Sequence, residues 1–358
     1  MCCGYPFASS LLTTPHICGW YKVKLNTSAW IHSSGKTLSV FQSLIEAHWN
    51  IGTDTTHLKV HYSSRPIVLL CGGFVKEKSR PEDPEPLPQS LRHAVNYEAL
   101  HSAPPFLLFQ PEEIKHWAMD ATFKNLMEFE KELASVSSIV VIILESAGAI
   151  AELSAFSQLP ELNKKLIVFR SSHYGSEDSF IDLGVLRYIK ADYGENKVKK
   201  YRWIPSVDNQ PAVIANNLPN DVLEDITDEV KELKKTSKFN KLYDTHIAAL
   251  ICELISIFTA LRESELLTLL QNLNIDISRD ELKRKIFILR HFTLIDTKEA
   301  SSSIFYFKTD DEFHAVNGFT ENGHQLDKLR KKTVLMEEYK KIKDRHRLNA
   351  ISQIGHYQ

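Results

Sequence analysis

Six consecutive apolar residues, Ile139-Val140-Val141-Ile142-Ile143-Leu144, run straight into Glu145-Ser146-Ala147-Gly148-Ala149-Ile150-Ala151-Glu152. A β-branched run without polar alternation has no face to give to water. It therefore reads as a strand buried on both sides, as in a parallel sheet covered by helices. The small residues that follow, with Gly148 among them, allow a tight turn into a helix, which Ser146 is placed to cap. Two carboxylates bracket the turn, Glu145 at the strand exit and Glu152 in the first helical turn. In open α/β sheets ligands bind at the carboxyl ends of the strands. A carboxylate there can attack, or stabilise, a sugar carbon that is becoming cationic.

The same grammar extends outward. Pro66-Ile67-Val68-Leu69-Leu70-Cys71 reads as another buried strand, ending at Gly72-Gly73, and a charged, proline-rich loop fills 76–88. A helix is expected over 91–100, a strand over 105–109, a helix over 113–135 and a strand over 165–169, with Arg202-Trp203-Ile204 closing the sheet. Strands alternating with helices imply an α/β fold with a doubly wound parallel sheet over residues 61–205. Residues 1–60 read as an N-terminal arm with one helix over 38–51. Residues 206–240 read as a polar linker with a helix over 221–235.

Beyond the linker, Ile247, Leu250, Ile251, Leu254, Ile255 and Phe258 share one helical face. A leucine-rich second helix follows over 266–273. Ser278 caps a third, with Leu282, Ile286 and Leu289 inward. Residues 294–296 and 304–307 then read as a β-hairpin. Three helices and a hairpin make a winged helix-turn-helix domain over 241–320, and 321–358 form a basic C-terminal helix and tail, helical over 324–346.

With 358 residues and 43% hydrophobic content there is core enough for two domains. A net charge of −2 announces no bulk nucleic-acid binder, so any basic surface must be local. Five scattered cysteines fit a reducing cytoplasm better than a disulfide framework and form no metal-spaced cluster. No apolar run reaches about 18 residues, so no membrane span is expected, and the N-terminus lacks the pattern of a signal peptide.

Each candidate residue has an ordinary reading beside the functional one. Glu152 is an acid near a helix N-terminus, which the macrodipole favours anyway; its small neighbours and its place after the most apolar strand also make it a catalytic candidate. Glu145 is either a solvated strand end or a like charge that shifts Glu152. Ser146 caps the helix or holds a sugar hydroxyl. Gly72, Gly73 and Gly148 are turn residues or points of close approach to a ligand. Glu130 reads as a surface residue within reach of the pocket. The segment 176–188, with Asp182 and Arg187, is a surface loop or a cover for a phosphate-bearing substrate. Arg279, Lys283 and Arg290 flank the apolar stripe of the third C-terminal helix and suit phosphate contacts, as do Lys331 and Lys332 in the tail, though charged runs are commonly solvated faces and winged helices also dock proteins.

Taken together, these residues resemble retron effector proteins that join a nucleoside deoxyribosyltransferase-like domain to a winged-helix DNA-binding domain. The likeness runs through Leu70-Cys71-Gly72-Gly73, Phe109-Gln110-Pro111-Glu112-Glu113, the segment Ile142 to Phe156, Lys164-Lys165-Leu166-Ile167 and Ser179 to Arg187. The resemblance implies that Glu152, in Glu152-Leu153-Ser154-Ala155-Phe156, is the active-site carboxylate, with Glu145 supporting it. The transferase pattern has Asp where Ser146 stands and near Ser138, and the retron pattern has Pro at Ala147 and Gly at Ser154. Those departures favour hydrolysis over base exchange. What the family further implies is an anti-phage toxin that cleaves the N-glycosidic bond of NAD, NAD being substrate and no cofactor being needed. Its partners would be a retron reverse transcriptase and multicopy single-stranded DNA with its RNA, in a higher-order oligomer. Two alternatives stand beside this: a hydrolase of free (deoxy)nucleosides or nucleotides, and a catalytically degenerate nucleic-acid-binding subunit.

Overall fold

The computed structural model describes Phe41 and residues 55–76, 78, 82, 84, 86–114, 122–173, 179–207, 210–321 and 323–354. The helix expected over 38–51, most of the 1–60 arm, and parts of the 76–88, 113–135 and 176–188 segments lie outside the described residues.

In chain order, β1 (Lys59–His61) and β2 (Ile67–Cys71) precede α1 (Leu91–Ser102), β3 (Leu107–Phe109), α2 (Leu126–Val136) and β4 (Ile139–Leu144). Then come α3 (Ala147–Ser157), β5 (Leu166–Ser171), a π-helical turn (Ile181–Leu186) leading into α4 (Arg187–Tyr193), and β6 (Val198–Tyr201). Strands β2 to β6 form one parallel sheet in the order β3-β2-β4-β5-β6. The fully buried β2 and β4 lie side by side, with Leu69 opposite Val140. The chain leaves β2 to one side for β3 and returns on the other for β4. The gap between the carboxyl ends of β2 and β4 is thus the switch point of the sheet, where an open α/β fold leaves a crevice.

Side chains of the strands alternate between two cores. Val68, Leu70, Val141, Ile143 and Phe169 pack against α1 and against α5 (Leu218–Lys231). Leu69, Cys71, Val140, Ile142 and Val168 face α2, α3 and the C-terminal half of the chain.

That half contains β7 (Thr236–Lys238), α6 (Asp244–Phe258), α7 (Glu263–Asn272), α8 (Arg279–His291), and the hairpin of β8 (Ile295–Ala300) and β9 (Ser303–Lys308). A short β10 (Ala315–Asn317) and a two-residue pair, β11 (Thr320–Glu321) with β12 (His324–Gln325), precede α9 (Lys328–Lys341) and α10 (Arg345–Ile354). The order of three helices and a hairpin is the one read from the sequence, and Ser278 caps α8 by accepting the Glu281 N–H at 3.2 Å.

Three expectations are corrected. The helix that reaches 135 begins at Leu126, where Asn125 accepts the Glu128 N–H at 2.9 Å and caps it, with 122–125 non-helical before it. The sheet is closed by β6, not by 202–204. The lysines of β6 concealed it, although Lys199 and Tyr201 are both held by Asp225. The helix expected over 324–346 is broken at Lys343, whose φ is 57°, giving α9 and α10.

The two halves share structure. β1 from the N-terminal side, β7 from the linker and β10 from the C-terminal side form a three-stranded antiparallel sheet around fully buried Val60. Glu161, just after α3, caps α6 by accepting the N–H groups of Asp244 and Thr245 at 2.6 and 3.0 Å. Lys285 of α8, its side chain only 4% exposed, lies 3.0 Å from Glu132 of α2 and 2.6 Å from Asp244 of α6. Burial opposes its charge, but the two carboxylates raise its pKa above the ordinary value. Removing one member of such a buried network strands the others. Lys285→Met should therefore cost about 3–5 kcal/mol in urea unfolding of the full chain; a loss under about 1 kcal/mol would show that the junction does not depend on this ammonium.

Candidate active site

The end of β4 is fastened first. Glu145 turns its carboxylate onto the loop after β2 and the start of α1. Oε1 accepts the N–H groups of Gly73 at 3.0 Å and Arg92 at 2.9 Å, and Oε2 accepts that of Leu91 at 2.9 Å. A helix N-terminus leaves its first N–H groups without partners and carries partial positive charge, so a carboxylate is well suited to it. Burial raises the Glu145 pKa, while the three donors pull it down and favour the ionised form. Gly73 is required by this contact: a Cβ there would stand 2.8 Å from Ser90 Cβ and 2.9 Å from Glu145 Cδ. Ser146 caps α3, accepting the Ala149 N–H at 3.1 Å and donating to the Gly72 carbonyl at 3.0 Å.

Because that cap starts α3 at Ala147, Glu152 is its sixth residue and lies in the second helical turn, not the first. It faces the carboxyl end of β2. The Cys71 thiol donates to one Glu152 oxygen, and the other, Oε2, is buried without a hydrogen-bond partner. Burial raises the pKa of Glu152, opposed by the positive charge of Arg92 and by the thiol. Cys71 is itself pushed well up, by burial and then by Glu152, so it stays a protonated donor. An unpartnered buried carboxylate oxygen is costly unless something completes it.

Around Glu152 stand Arg92, which sequence patterning did not single out, and the carboxylates of Glu112 and Glu130. Arg92, in the first turn of α1 and 3% exposed, pairs in bidentate fashion with Glu112, with Nη1 2.9 Å from Oε1, and also donates to the Gly73 carbonyl at 3.3 Å. Burial opposes the Arg92 charge, but the Glu112 hydrogen bond and charge more than restore it. Glu130 of α2 is half-buried, and its pKa rises to about 7, first through burial and then through the charges of Glu152 and Glu112. It thus belongs to the same electrostatic cluster and does not behave as a free surface acid. The one available signal for Arg92 was its place on a helical face otherwise filled by Leu91, Ala94 and Val95.

Other predicted residues sit apart from this cluster or are engaged. Gly148 is exposed at the start of α3, where a Cβ would meet Ser146 Oγ at 3.7 Å, an ordinary contact. Asp182 pairs with Arg170 at the end of β5, 2.6 Å from Nε, and accepts from Ser179 Oγ at 2.6 Å. Arg187 is exposed at the start of α4. On α8, Lys283 and Arg290 are exposed, while Arg279 contacts Glu263 at 2.5 Å. Lys331 is buried against Glu321 at 2.6 Å, and Lys332 beside it is half-buried. Among the described residues no helix is long and apolar enough to cross a membrane.

The two carboxylates of the β4–α3 turn should separate in a stability experiment. Glu145→Gln sets an amide NH₂ against at least one of the three N–H donors and removes the charge they favour, and should cost about 1–3 kcal/mol in urea unfolding. Glu152→Gln removes a charge that burial already disfavours and should leave stability unchanged or slightly raised. Equal losses would contradict this division. The sign for Glu130 follows from its raised pKa: the folded state binds more protons, so this contribution to stability is full below about 4.5 and is lost as pH rises through about 7. Glu130→Gln should flatten that part of the stability–pH curve.

Comparisons with known proteins bear on the family of the chain. The "Retron Ec73 putative ribosyltransferase/DNA-binding protein" of Escherichia coli is 35% identical over 65 residues, 18% of this chain and 21% of that protein. The "Retron Ec86 putative ribosyltransferase/DNA-binding protein" of Escherichia coli is 28% identical over 124 residues, 34% of this chain and 37% of that protein. The chain thus matches well under two thirds of either relative's length. The family model described as STM3845 retron effector protein matches residues 88–297, from just before α1 into the first hairpin strand. That match covers more than half of the 358 residues, and the chain belongs to the STM3845 retron effector protein family.

Proposed function

We propose that this retron effector is an N-glycosidase whose Glu152 acts at the sugar carbon of a nucleotide, within a nucleoside deoxyribosyltransferase-like domain. The observation that carries the reading is Glu152 Oε2, buried without a partner at the switch point of the sheet. Its other oxygen is oriented by the Cys71 thiol. In this reading C1′ of the substrate sits against the Glu152 carboxylate, whose residue as a whole is only half-buried. As the C1′–N bond breaks, its electron pair leaves with the base, and the Glu152 carboxylate stabilises the cationic carbon or bonds to it. Water then bonds to C1′, any C1′–O bond to Glu152 breaking with its electron pair returning to the carboxylate, and the water's proton passes to a neighbouring carboxylate. The word "ribosyltransferase" in the names of both relatives fits bond breaking at this carbon.

The substrate of first choice is NAD. A second reading, hydrolysis of a free (deoxy)nucleoside or nucleotide, is favoured by Glu130. The base of NAD is cationic in the substrate and leaves neutral, so it needs no proton. A neutral purine or pyrimidine leaves well only when protonated, and a carboxyl with a pKa of about 7 can hold that proton at neutral pH. After giving it up, the Glu130 carboxylate can accept the proton of the attacking water.

The C-terminal helices and hairpin, as a winged helix-turn-helix domain, would hold nucleic acid along exposed Lys283 and Arg290. The relatives' description as DNA-binding proteins supports this use. The partners proposed are a retron reverse transcriptase and its multicopy DNA with attached RNA, in a higher-order oligomer that restrains a toxin acting against phage. Co-expression with tagged reverse transcriptase should recover the protein with DNA attached.

The activity test is release of nicotinamide from NAD and of free base from a panel of nucleosides and nucleotides, measured by chromatography on the full chain. Glu152→Gln should lower the productive reaction by at least about 10²-fold while the protein stays folded. With a neutral-base substrate the rate should fall as pH rises through about 7, and Glu130→Gln should remove that fall; with NAD no such dependence on the Glu130 proton is expected. Turnover that survives in Glu152→Gln would assign the chemistry elsewhere. Absence of turnover in the wild type, both free and released from its partners, would favour the degenerate binding subunit.

A further inference from the structure

A second site lies away from Glu152, where α8 meets the base of the hairpin. A cavity of about 390 Å³ opens there, lined by Phe287, Arg290, His291, Ile295, Asp296 and Thr309. Its size falls in the range of small-ligand sites. Phe287 and His291 lie one helical turn apart, their ring centroids 4.4 Å from each other at 52°. His291 is exposed and Phe287 half-buried, so the pair offers an aromatic edge to the cavity. Arg290 beside them is exposed and is committed to no carboxylate among the described residues. Opposite, Asp296 Oδ1 accepts the Thr297 N–H at 2.7 Å, and the carboxylate keeps further acceptor capacity toward the cavity.

The walls are firmly set. Phe292 packs on Phe109 of the parallel sheet, centroids 4.7 Å apart. Phe287 meets Phe123 edge-on at 5.2 Å. Thr309 Oγ1 donates to the Thr293 carbonyl, and Thr293 Oγ1 is tied to Asp311. An aromatic platform, a free guanidinium and a carboxylate in one preformed cavity match the three parts of a nucleotide: a base face to stack, a phosphate to neutralise, and an amino or imino edge that donates.

We propose that this cavity takes one unpaired base of a single-stranded nucleic acid, stacked on Phe287 and His291, with Arg290 on the adjoining phosphate. The assignment rests on the nucleic-acid reading of α8 and adds to it a preference for unpaired strand. A base inside a duplex is stacked and paired and cannot enter, so a duplex meets only the cationic outer face of α8.

The test is fluorescence anisotropy of the full chain with a short labelled single strand, with the blunt duplex of the same sequence, and with a free deoxynucleoside monophosphate as competitor. His291→Ala should weaken single-strand binding about tenfold and leave duplex binding unchanged. Arg290→Glu should weaken the single strand more than the duplex, whereas Lys283→Glu, outside the cavity on the same helix, should weaken both alike. If His291→Ala has no effect, or if Arg290→Glu and Lys283→Glu behave identically, the cavity assignment falls while nucleic-acid binding by α8 stands. If neither strand nor duplex binds the wild type, both fall. Competition by the mononucleotide that depends on His291, without binding of the strand, would make the cavity a mononucleotide site and overturn the proposal.

Discussion

A carboxylate that is not proposed to react holds the site together. Glu145 sits at the end of the central strand and accepts three backbone N–H groups, one from the loop after β2 and two from the start of α1. The loop and the helix are thereby drawn onto β4. Arg92 is one of the residues whose backbone is held, so its guanidinium is carried into position toward Glu112 and the Gly73 carbonyl. That guanidinium is the cation that opposes the burial of Glu152. The surroundings of Glu152 therefore depend on a helix N-terminus two strands away in sequence. It also explains the close approach at Gly73, which a side chain would block.

The division between the parallel-sheet half and the C-terminal helical half is looser in the fold than in the sequence pattern. One face of the parallel sheet and the inner faces of α6, α7 and α8 belong to one continuous apolar cluster. Helix α2 stands at this junction with two kinds of carboxylate. Glu130 is coupled to Glu152, whereas Glu128 and Glu132 reach Arg284 and Lys285 of α8. Phe123, just before α2, packs edge-on against both Phe129 of α2 and Phe287 of α8. A displacement of α8 relative to α2 would strip buried charges of their partners, and rigid-body motion at this junction is correspondingly expensive.

Features governed by local chemistry were legible in the sequence. The uninterrupted apolar run of β4, the serine caps of α3 and α8 and the hairpin turn near Ser301 follow from short-range rules and recur in the structure. What stayed hidden depends on partners distant in the chain. β6 looks too polar for a strand until Asp225 of α5 is seen to hold Lys199 and Tyr201. β1, β7 and β10 are three-residue pieces that become strands only by pairing with one another. Glu145 could be placed at the strand exit, but its role as a cap for α1 could not, since the donors lie more than fifty positions earlier. Lys331 sits in a basic run and is nevertheless buried by Glu321. Charge runs describe composition along the chain, whereas exposure is decided by the fold.

The charge balance of the site bears on what it can bind. Around Glu152 stand Glu112 and Glu130, with Arg92 the nearby cation that opposes them, and the Arg92 guanidinium is already engaged by Glu112 in bidentate fashion. Adding an anionic group directly against this cluster would be unfavourable, whereas a carbon that gains positive charge is favoured. That balance suits the proposed reaction, in which the sugar end of a nucleotide gains positive charge as its base departs. In the proposed reaction the phosphates would lie toward the exposed start of α3, at Gly148. In the proposed reaction this polarity would set the base toward α2 and Glu130, the sugar against Glu152 and the phosphate past Gly148. It also makes the raised pKa of Glu130 useful to the reaction, because the same carboxylate crowding that would repel a phosphate keeps a proton beside the departing base.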